Sequence, residues 1–307
     1  MGTPTFATPV LAALLDAGHD VVGVYTQPDK PVGRGGNVEP SPVKQFALER
    51  KLSVHQPERL RDGEVRLELE ALLPDVCVVA AYGKLLPSEL LMVPPFGCIN
   101  IHPSLLPRYR GPSPVPSAIL AGCAVTGVTV MKLDQGMDTG PLLAYSKTVI
   151  IPNEKANALI LRLFEMGSDL LVKVLAEIEA GKVIFKPQDD ARATMTKKLS
   201  KEDGLVDWVN TAEHITRQVR AFHPWPGTFT YWRGKRLKII DAIAQESAKD
   251  GRVGEVLGMV EDGLQIVTGN GVLEITRLQE EGRKVVSAKQ FVAGHADVVG
   301  AVFGLRG

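Results

Sequence analysis

The stretch Gly97-Cys98-Ile99-Asn100-Ile101-His102-Pro103-Ser104-Leu105-Leu106-Pro107 decides how the first half of this chain folds. Residues 97–102 form a short apolar run of strand-forming type, cut off by Pro103, which has no N–H to continue a ladder. Side chains two apart on a strand point the same way, so Asn100 and His102 project from one face at the strand's end. An amide donor beside an imidazole suits chemistry in which an oxygen gains negative charge while a proton moves. The plainer alternative is an edge strand whose Asn and His merely satisfy loop backbone.

Two similar runs precede it, residues 20–26 (DVVGVYT) and 75–82 (DVCVVAAY). They alternate with helical patterns. One carries Val43, Phe46 and Ala47 behind Ser41 as cap and Pro42 at the first helical position. Another carries Val65, Leu69, Leu72 and Leu73. Continuous apolar strands alternating with amphipathic helices predict an α/β fold, a doubly wound, mainly parallel sheet covered on both faces. Residues 126–133 and 141–151 add two strands. A long helix follows, with Leu159, Leu163, Leu170, Val174 and Ile178 among its three-four repeats and Gly181 placed to stop it.

After Gly181 the texture changes. Residues 182–203 are polar, carry Lys197, Lys198 and Lys201, and read as a linker between a first domain over 1–181 and a second over 204–307. The second opens with one helix, for which Asn210 and Glu213 form a candidate capping box. Short strands follow, divided by turn signals at Arg233-Gly234, 261–263 and 269–271. That pattern predicts a small antiparallel β-barrel of the oligonucleotide-binding (OB) type.

Composition narrows the function classes. Of 307 residues, 45% are hydrophobic and 23% charged, as in a soluble globular protein. Lys+Arg equals Asp+Glu at 35 each, so any nucleic-acid contact must come from a local basic patch. Cys77, Cys98 and Cys123 sit in or beside apolar segments without paired metal spacing or a nucleophile–base motif. They read as small core residues in a reducing compartment, with no metal. No apolar run is long enough for a bilayer, and the N-terminus has no basic region followed by an apolar stretch, so the cytoplasm is expected and no membrane.

Downstream lies Leu133-Asp134-Gln135-Gly136-Met137-Asp138-Thr139-Gly140-Pro141. Two glycines flank Asp138, so this loop can carry a carboxylate close to other backbone without steric cost. Near His102 that carboxylate would orient the ring and favour its protonated form. An exposed turn Asp is the competing reading.

The Asn-x-His-x-Ser-Leu-Leu-Pro segment and the later Asp-x-Gly-x-Asp-Thr-Gly together resemble the 10-formyltetrahydrofolate-dependent formyltransferase superfamily. Further segments are similar to its methionyl-tRNA-acting branch. They are Gly2-Thr3-Pro4 with Phe6-Ala7, Thr26-Gln27-Pro28-Asp29-Lys30 leading to Gly33-Arg34-Gly35, and Arg108-Tyr109-Arg110-Gly111-Pro112-Ser113-Pro114. In the second half Leu199-Ser200-Lys201-Glu202-Asp203-Gly204, Asp207-Trp208 and Pro224-Trp225-Pro226-Gly227 fit as well, so the likeness runs essentially end to end. The resemblance implies a Rossmann-like formyltransferase domain followed by an OB-like barrel. It also implies 10-formyltetrahydrofolate as co-substrate, initiator methionyl-tRNA as partner, and a monomer. Formyl transfer would proceed by direct attack of the methionine α-amino group through a tetrahedral intermediate.

By the same resemblance Asn100, His102 and Asp138 are catalytic, and Ser104, Leu105, Leu106 and Pro107 line the folate site. The Gly-Arg-Gly loop around Arg34 points toward the tRNA acceptor stem. The ordinary alternatives are core for Leu105 and Leu106 and a solvated loop for Arg34. For the tRNA, Arg217 and Arg220 fall on one side of the C-terminal helix, and Arg233, Lys235, Arg236 and Lys238 surround a hairpin near Phe229, Tyr231 and Trp232. They suggest an electrostatic path for the acceptor arm, though the same alternation fits a strand with one wet face. Two other readings stay open. One is a different superfamily member, such as a glycinamide ribonucleotide transformylase or a formyl-folate hydrolase, which lacks the barrel. The other is a non-catalytic RNA-binding protein, which the intact Asn/His/Asp set argues against.

Two departures stand out. The family carries a short apolar strand immediately before the Gly-Thr-Pro turn, whereas this sequence starts at Met1-Gly2-Thr3-Pro4. Without about 5–6 residues of strand, the sheet is expected to melt earlier than the same chain extended upstream. Pro103, where many relatives carry a small residue, is expected to stiffen the backbone beside His102.

Overall fold

The structure, a computed structural model, describes residues 1–32, 37–61, 63–245 and 250–304. The chain divides into two units, one of Met1–Pro114, Val125–Val149 and Ile160–Thr196, the other of Val115–Ala124, Ile150–Leu159 and Lys197–Gly307.

In the first unit the β-branched runs form strands and the amphipathic runs form helices. In chain order these are α1 (Thr8–Asp16), β1 (Val24–Tyr25), β2 (Lys30–Val32), β3 (Asn37–Glu39), α2 (Pro42–Glu49), β4 (Val54–His55), α3 (Gly63–Ala71), β5 (Cys77–Val79), α4 (Ser88–Leu91) and β6 (Cys98–His102). After α5 (Pro114–Leu120), which falls in the second unit but for its first residue, come β7 (Val125–Lys132), β8 (Leu142–Val149) and α6 (Ala156–Glu179), the last belonging to the first unit from Ile160 onward. Ser41 caps α2 as its position promised, its hydroxyl accepting the Lys44 N–H at 3.1 Å. Gly181 follows the end of α6 with φ of 64°, a left-handed conformation that costs glycine nothing.

Strand β1 runs parallel to β4, and β5 parallel to β6. Beyond β6 the sheet turns antiparallel through β7 and β8, and between β7 and β8 the short connection 133–141 leaves no room for a crossover helix. Between β1 and β5 the rung is Met1–Gly2. The Gly2 N–H donates to Tyr25 O at 2.9 Å, and the Ala80 N–H donates to Met1 O at 2.8 Å. Beside that rung, toward the amino ends of β1 and β5, lies a cavity of about 580 Å³ walled by Val22, Val76, Leu14 and Ile178.

Helix α6 covers the back of the sheet at close range. A Cβ at Gly167 would come within 2.6 Å of Ile101 Cγ2 and 3.0 Å of Val128 Cγ2, so Ile101 faces α6. By strand alternation Asn100 and His102 face away from α6. The buried Tyr82 hydroxyl has no hydrogen-bond partner among the described residues, and burial pushes its pKa up to about 12. An unpaired buried hydroxyl costs more than its absence, so Tyr82→Phe is expected to stabilise the fold by about 1 kcal/mol, read as a raised Tm in calorimetry. A lowered Tm would reveal a partner for that oxygen.

In the second unit α7 (Ala212–Ala221) precedes β9 (Thr228–Trp232), β10 (Lys235–Gln245), β11 (Val256–Val260), β12 (Gly263–Val267), β13 (Val272–Glu280), β14 (Val286–Ser287) and α8 (Ala288–Gly294). The antiparallel order is β11-β12-β13-β10-β9, with β14 paired to β13. Residues 301–304 reach both edges. The Val256 N–H donates to Ala301 O and the Phe303 N–H to Gly254 O, each at 2.8 Å, while Tyr231 and Gly304 exchange two bonds of 3.2 Å. Alternate residues Leu237, Ile239, Leu264, Ile266, Leu273 and Ile275 fill the interior. The cap of α7 is Thr211 rather than the expected Asn210, because the Thr211 hydroxyl is the one that reaches the His214 N–H, at 3.1 Å. A true capping box stands instead at α8, between Ser287 and Gln290.

Candidate active site

Strand β6 brings the amide and the imidazole to one face. It is paired on both sides, Asn100 against Val79 and Met131, His102 against Thr129, and all five of its residues are buried. A strand locked by two neighbours gives its side chains little freedom. Asn100 keeps 9% exposure, and among the described residues its amide has no hydrogen-bond partner. It is a donor that the fold itself leaves unused.

His102 is held from both sides. Its Nε2 lies 2.9 Å from the Tyr109 carbonyl oxygen, which only accepts, so Nε2 carries a proton. Its Nδ1 lies 3.5 Å from Asp138 Oδ2, the one close approach of a carboxylate to this ring among the described residues. Both nitrogens therefore face oxygen, which fixes the plane of the ring.

The two glycines do what the loop's spacing promised. A Cβ at Gly140 would overlap the Lys132 carbonyl, so only glycine lets the 133–141 loop fold back on β7. Asp138 itself sits in the left-handed region with φ of 54°, and its Oδ2 also accepts the Gly111 N–H at 2.8 Å. Asp134 ties the other end of the loop, accepting from the Gly136 N–H at 3.0 Å and the Thr139 hydroxyl at 2.6 Å. Strand β6 thus presents Asn100 and His102 on one face, and the 133–141 loop brings Asp138 to within 3.5 Å of the ring.

The Ser104–Pro107 segment is split. The Ser104 hydroxyl is fully buried and donates to Arg108 O at 2.7 Å, and Leu106 is 8% exposed, its N–H donating to the Thr129 hydroxyl at 3.2 Å. Both shape the turn. Leu105 and Pro107 are half-buried, the Leu105 side chain lying close over Gly127 of β7. Arg34 lies outside the described residues.

The basic residues of the second unit differ among themselves. Arg217 pairs with Glu213 one turn back, and Arg220 is half-buried, its pKa lowered by desolvation and by Arg217. Arg233 pairs with Asp297, and Lys235 lies 3.3 Å from Glu280. Arg236 and Lys238 alternate with the buried Leu237 and Ile239 and so stand on the outer face of β10, Arg236 5.3 Å over the Phe229 ring. The one-wet-face pattern and a basic outer face are here the same thing.

Sequence reasoning missed the other residues of the site. Arg110 is 5% exposed, and Gln188, from the polar stretch read as a linker, bonds it and the Asp138 loop together. The Arg108–Gly111 motif signalled Arg110; nothing signalled Gln188. Among the described residues no three His, Cys, Asp or Glu side chains gather as a metal site, and no helix is long and apolar enough to cross a membrane.

The chain is similar to known proteins over nearly its whole length. The Formyl transferase family matches residues 1–175, and the Formyl transferase, C-terminal domain family matches residues 198–296. The methionyl-tRNA formyltransferase of Chloroflexus aurantiacus is 48% identical over 299 residues, 97% of this chain and 96% of that one. That of Marinobacter nauticus is 45% identical over 298 residues, 97% and 96% of the two chains. Among solved structures, the N-formyltransferase from Helicobacter canadensis in complex with folinic acid and dTDP-3-aminofucose shares the fold, with TM-score 0.66, 18% identity, and coverage of 91% of this chain and 97% of that one. HypX from Aquifex aeolicus in complex with tetrahydrofolic acid does so with TM-score 0.59, 22% identity and 82% of this chain covered, against 44% of its own longer chain. With both family matches in sequence order and near-full-length identity close to one half, this chain belongs to the methionyl-tRNA formyltransferase family.

Proposed function

We propose that the chain transfers the formyl group of 10-formyltetrahydrofolate to the α-amino group of methionine esterified to initiator tRNA. The observation that carries this reading is the unengaged Asn100 amide beside a His102 ring held 3.5 Å from the Asp138 carboxylate. The folate supplies the formyl group. The half-buried Leu105 and Pro107, three and five residues after His102, offer apolar surface to a ligand with an apolar ring system and a polar one-carbon group.

A free α-amino group has a pKa of about 7.7–8, so it needs no activated Ser or Cys to act as nucleophile near neutrality. Its attack on the formyl carbon puts negative charge on the formyl oxygen. Asn100 donates to that oxygen, and His102 joins when the oxygen takes the place of the Tyr109 carbonyl at Nε2. Asp138 holds His102 in orientation and takes the proton released by the attacking nitrogen, directly or through water; the proton passes on to folate N10 as the tetrahedral centre collapses and the formyl carbon–N10 bond breaks, releasing tetrahydrofolate. In this reading residues 1–181 catalyse and residues 204–307 bind tRNA, with Arg34, Arg217, Arg220 and the β9–β10 basic residues along the acceptor arm. The enzyme works as a monomer in the cytoplasm.

The test is formyl-folate consumption with methionyl-tRNA, with free glycinamide nucleotide, and with water as the sole acceptor. Consumption with methionyl-tRNA alone is expected. Equal consumption with the nucleotide or with water points to the other superfamily chemistries.

A further inference from the structure

Asp138 is held at both ends, directly by Gly111 and, through Gln188, by Arg110. Its carboxylate accepts the Gly111 N–H at 2.8 Å. Its backbone carbonyl is held by Gln188 Nε2 at 2.8 Å, and the same nitrogen donates to Gly140 O at 2.7 Å. The opposite end of that amide, Oε1, accepts two bonds from Arg110, from Nε at 3.0 Å and Nη2 at 2.9 Å. Nη2 also reaches Asp190 Oδ1 at 2.6 Å. The Arg110 backbone is pinned in turn, its N–H donating to Thr194 O at 2.8 Å and its carbonyl accepting the Thr196 N–H at 2.7 Å.

The geometry has a consequence for the carboxylate. Asp138 sits at φ 54°, a conformation that L-residues hold only when their surroundings enforce it. Release of its carbonyl lets the peptide plane turn and swings the carboxylate off His102. Gln188 grips the carbonyls of Asp138 and Gly140, so the peptide plane that follows Asp138 is tied to the plane that follows Gly140. Only a side-chain amide does this. Its oxygen takes the guanidinium fork and its nitrogen serves two carbonyls, whereas a carboxylate would turn lone pairs toward both carbonyls.

We infer that Gln188, clamped by Arg110, is a positioning residue that holds Asp138 against His102. The inference rests on the role proposed above for Asp138. Gln188→Glu keeps the size of the side chain and its Arg110 partner but removes the N–H donors. It is expected to lower kcat by about tenfold to a hundredfold, as misplacement of a catalytic group does, with KM for tRNA and for folate within about twofold of wild type. Gln188→Ala is expected to lose about as much, with the melting curve of the Glu variant serving to set unfolding aside. In an Asp138→Ala background, Gln188→Ala is expected to cost less than about twofold more, since the group it positions is gone.

Three results overturn the inference. The first is wild-type kcat in both Gln188 variants while Asp138→Ala is slow, which leaves the role of Asp138 standing. The second is a further loss of about tenfold in the Asp138→Ala background, which assigns Gln188 to something else. The third is full activity of Asp138→Ala, which removes the reading on which the inference rests.

Discussion

Asn100→Ala, His102→Ala and Asp138→Ala each lower the single-turnover rate of formyl transfer by about a hundredfold or more, while affinity for methionyl-tRNA stays near wild type. Asn100 carries the clearest expectation. Its amide has no partner among the described residues, so removing it costs no hydrogen bond of the fold and leaves the oxygen that gains charge without a preset donor, a loss of about 3–4 kcal/mol of barrier. Asn100→Asp, of the same size, puts an acceptor where a donor is needed and falls below Asn100→Ala. His102 and Asp138 face each other at 3.5 Å and act as one unit. The double variant therefore loses little beyond the worse single one, as residues of one catalytic unit do. Rapid-quench formylation with enzyme in excess over tRNA measures the chemical step, and filter binding measures the tRNA affinity. Near-normal rates in all three single variants would end the assignment.

The second large effect is electrostatic. The chain carries 35 basic and 35 acidic side chains, so tRNA affinity must come from where the charges stand. Replacing Arg236 and Lys238 together with glutamine is expected to weaken tRNA binding by about tenfold or more at low salt and to cut the log–log salt slope by about one to two units. Folate affinity stays unchanged. The paired residues behave differently. Arg233 already faces Asp297, and Lys235 lies 3.3 Å from Glu280, so part of each charge is spent within the protein. Replacing that pair moves the slope less. Titrations at several salt concentrations decide the matter. Equal slopes for wild type and the Arg236/Lys238 double variant would remove β10 from the tRNA path.

How much of this was legible in the sequence follows the range of the interaction. Ser41 and Pro42 marked the start of α2, because a cap reaches only three residues ahead. The same local logic missed by one residue at α7, where Thr211 and Asn210 are both competent caps and only the backbone path chose between them. The alternation across Leu237, Lys238 and Ile239 showed which side chains face out, but not that Arg233 and Lys235 have acidic partners from β13 and beyond. The turn of the sheet from parallel to antiparallel after β6 was likewise invisible in the apolar runs, which look alike in either direction.

The sequence by itself determined that Asn100 and His102 share a face at a strand's end and that Asp138 rides a loop only glycines permit, because period-two alternation and steric freedom are properties of neighbouring residues. Only the tertiary structure decided that Asp138 meets His102, that the Tyr109 carbonyl holds the other ring nitrogen, and that Gln188 joins Arg110 to the Asp138 loop from 78 residues away. Contacts at that separation leave no periodic trace in the chain. They form only when the 133–141 loop, the Arg110 turn and the stretch after α6 are packed at the end of one sheet.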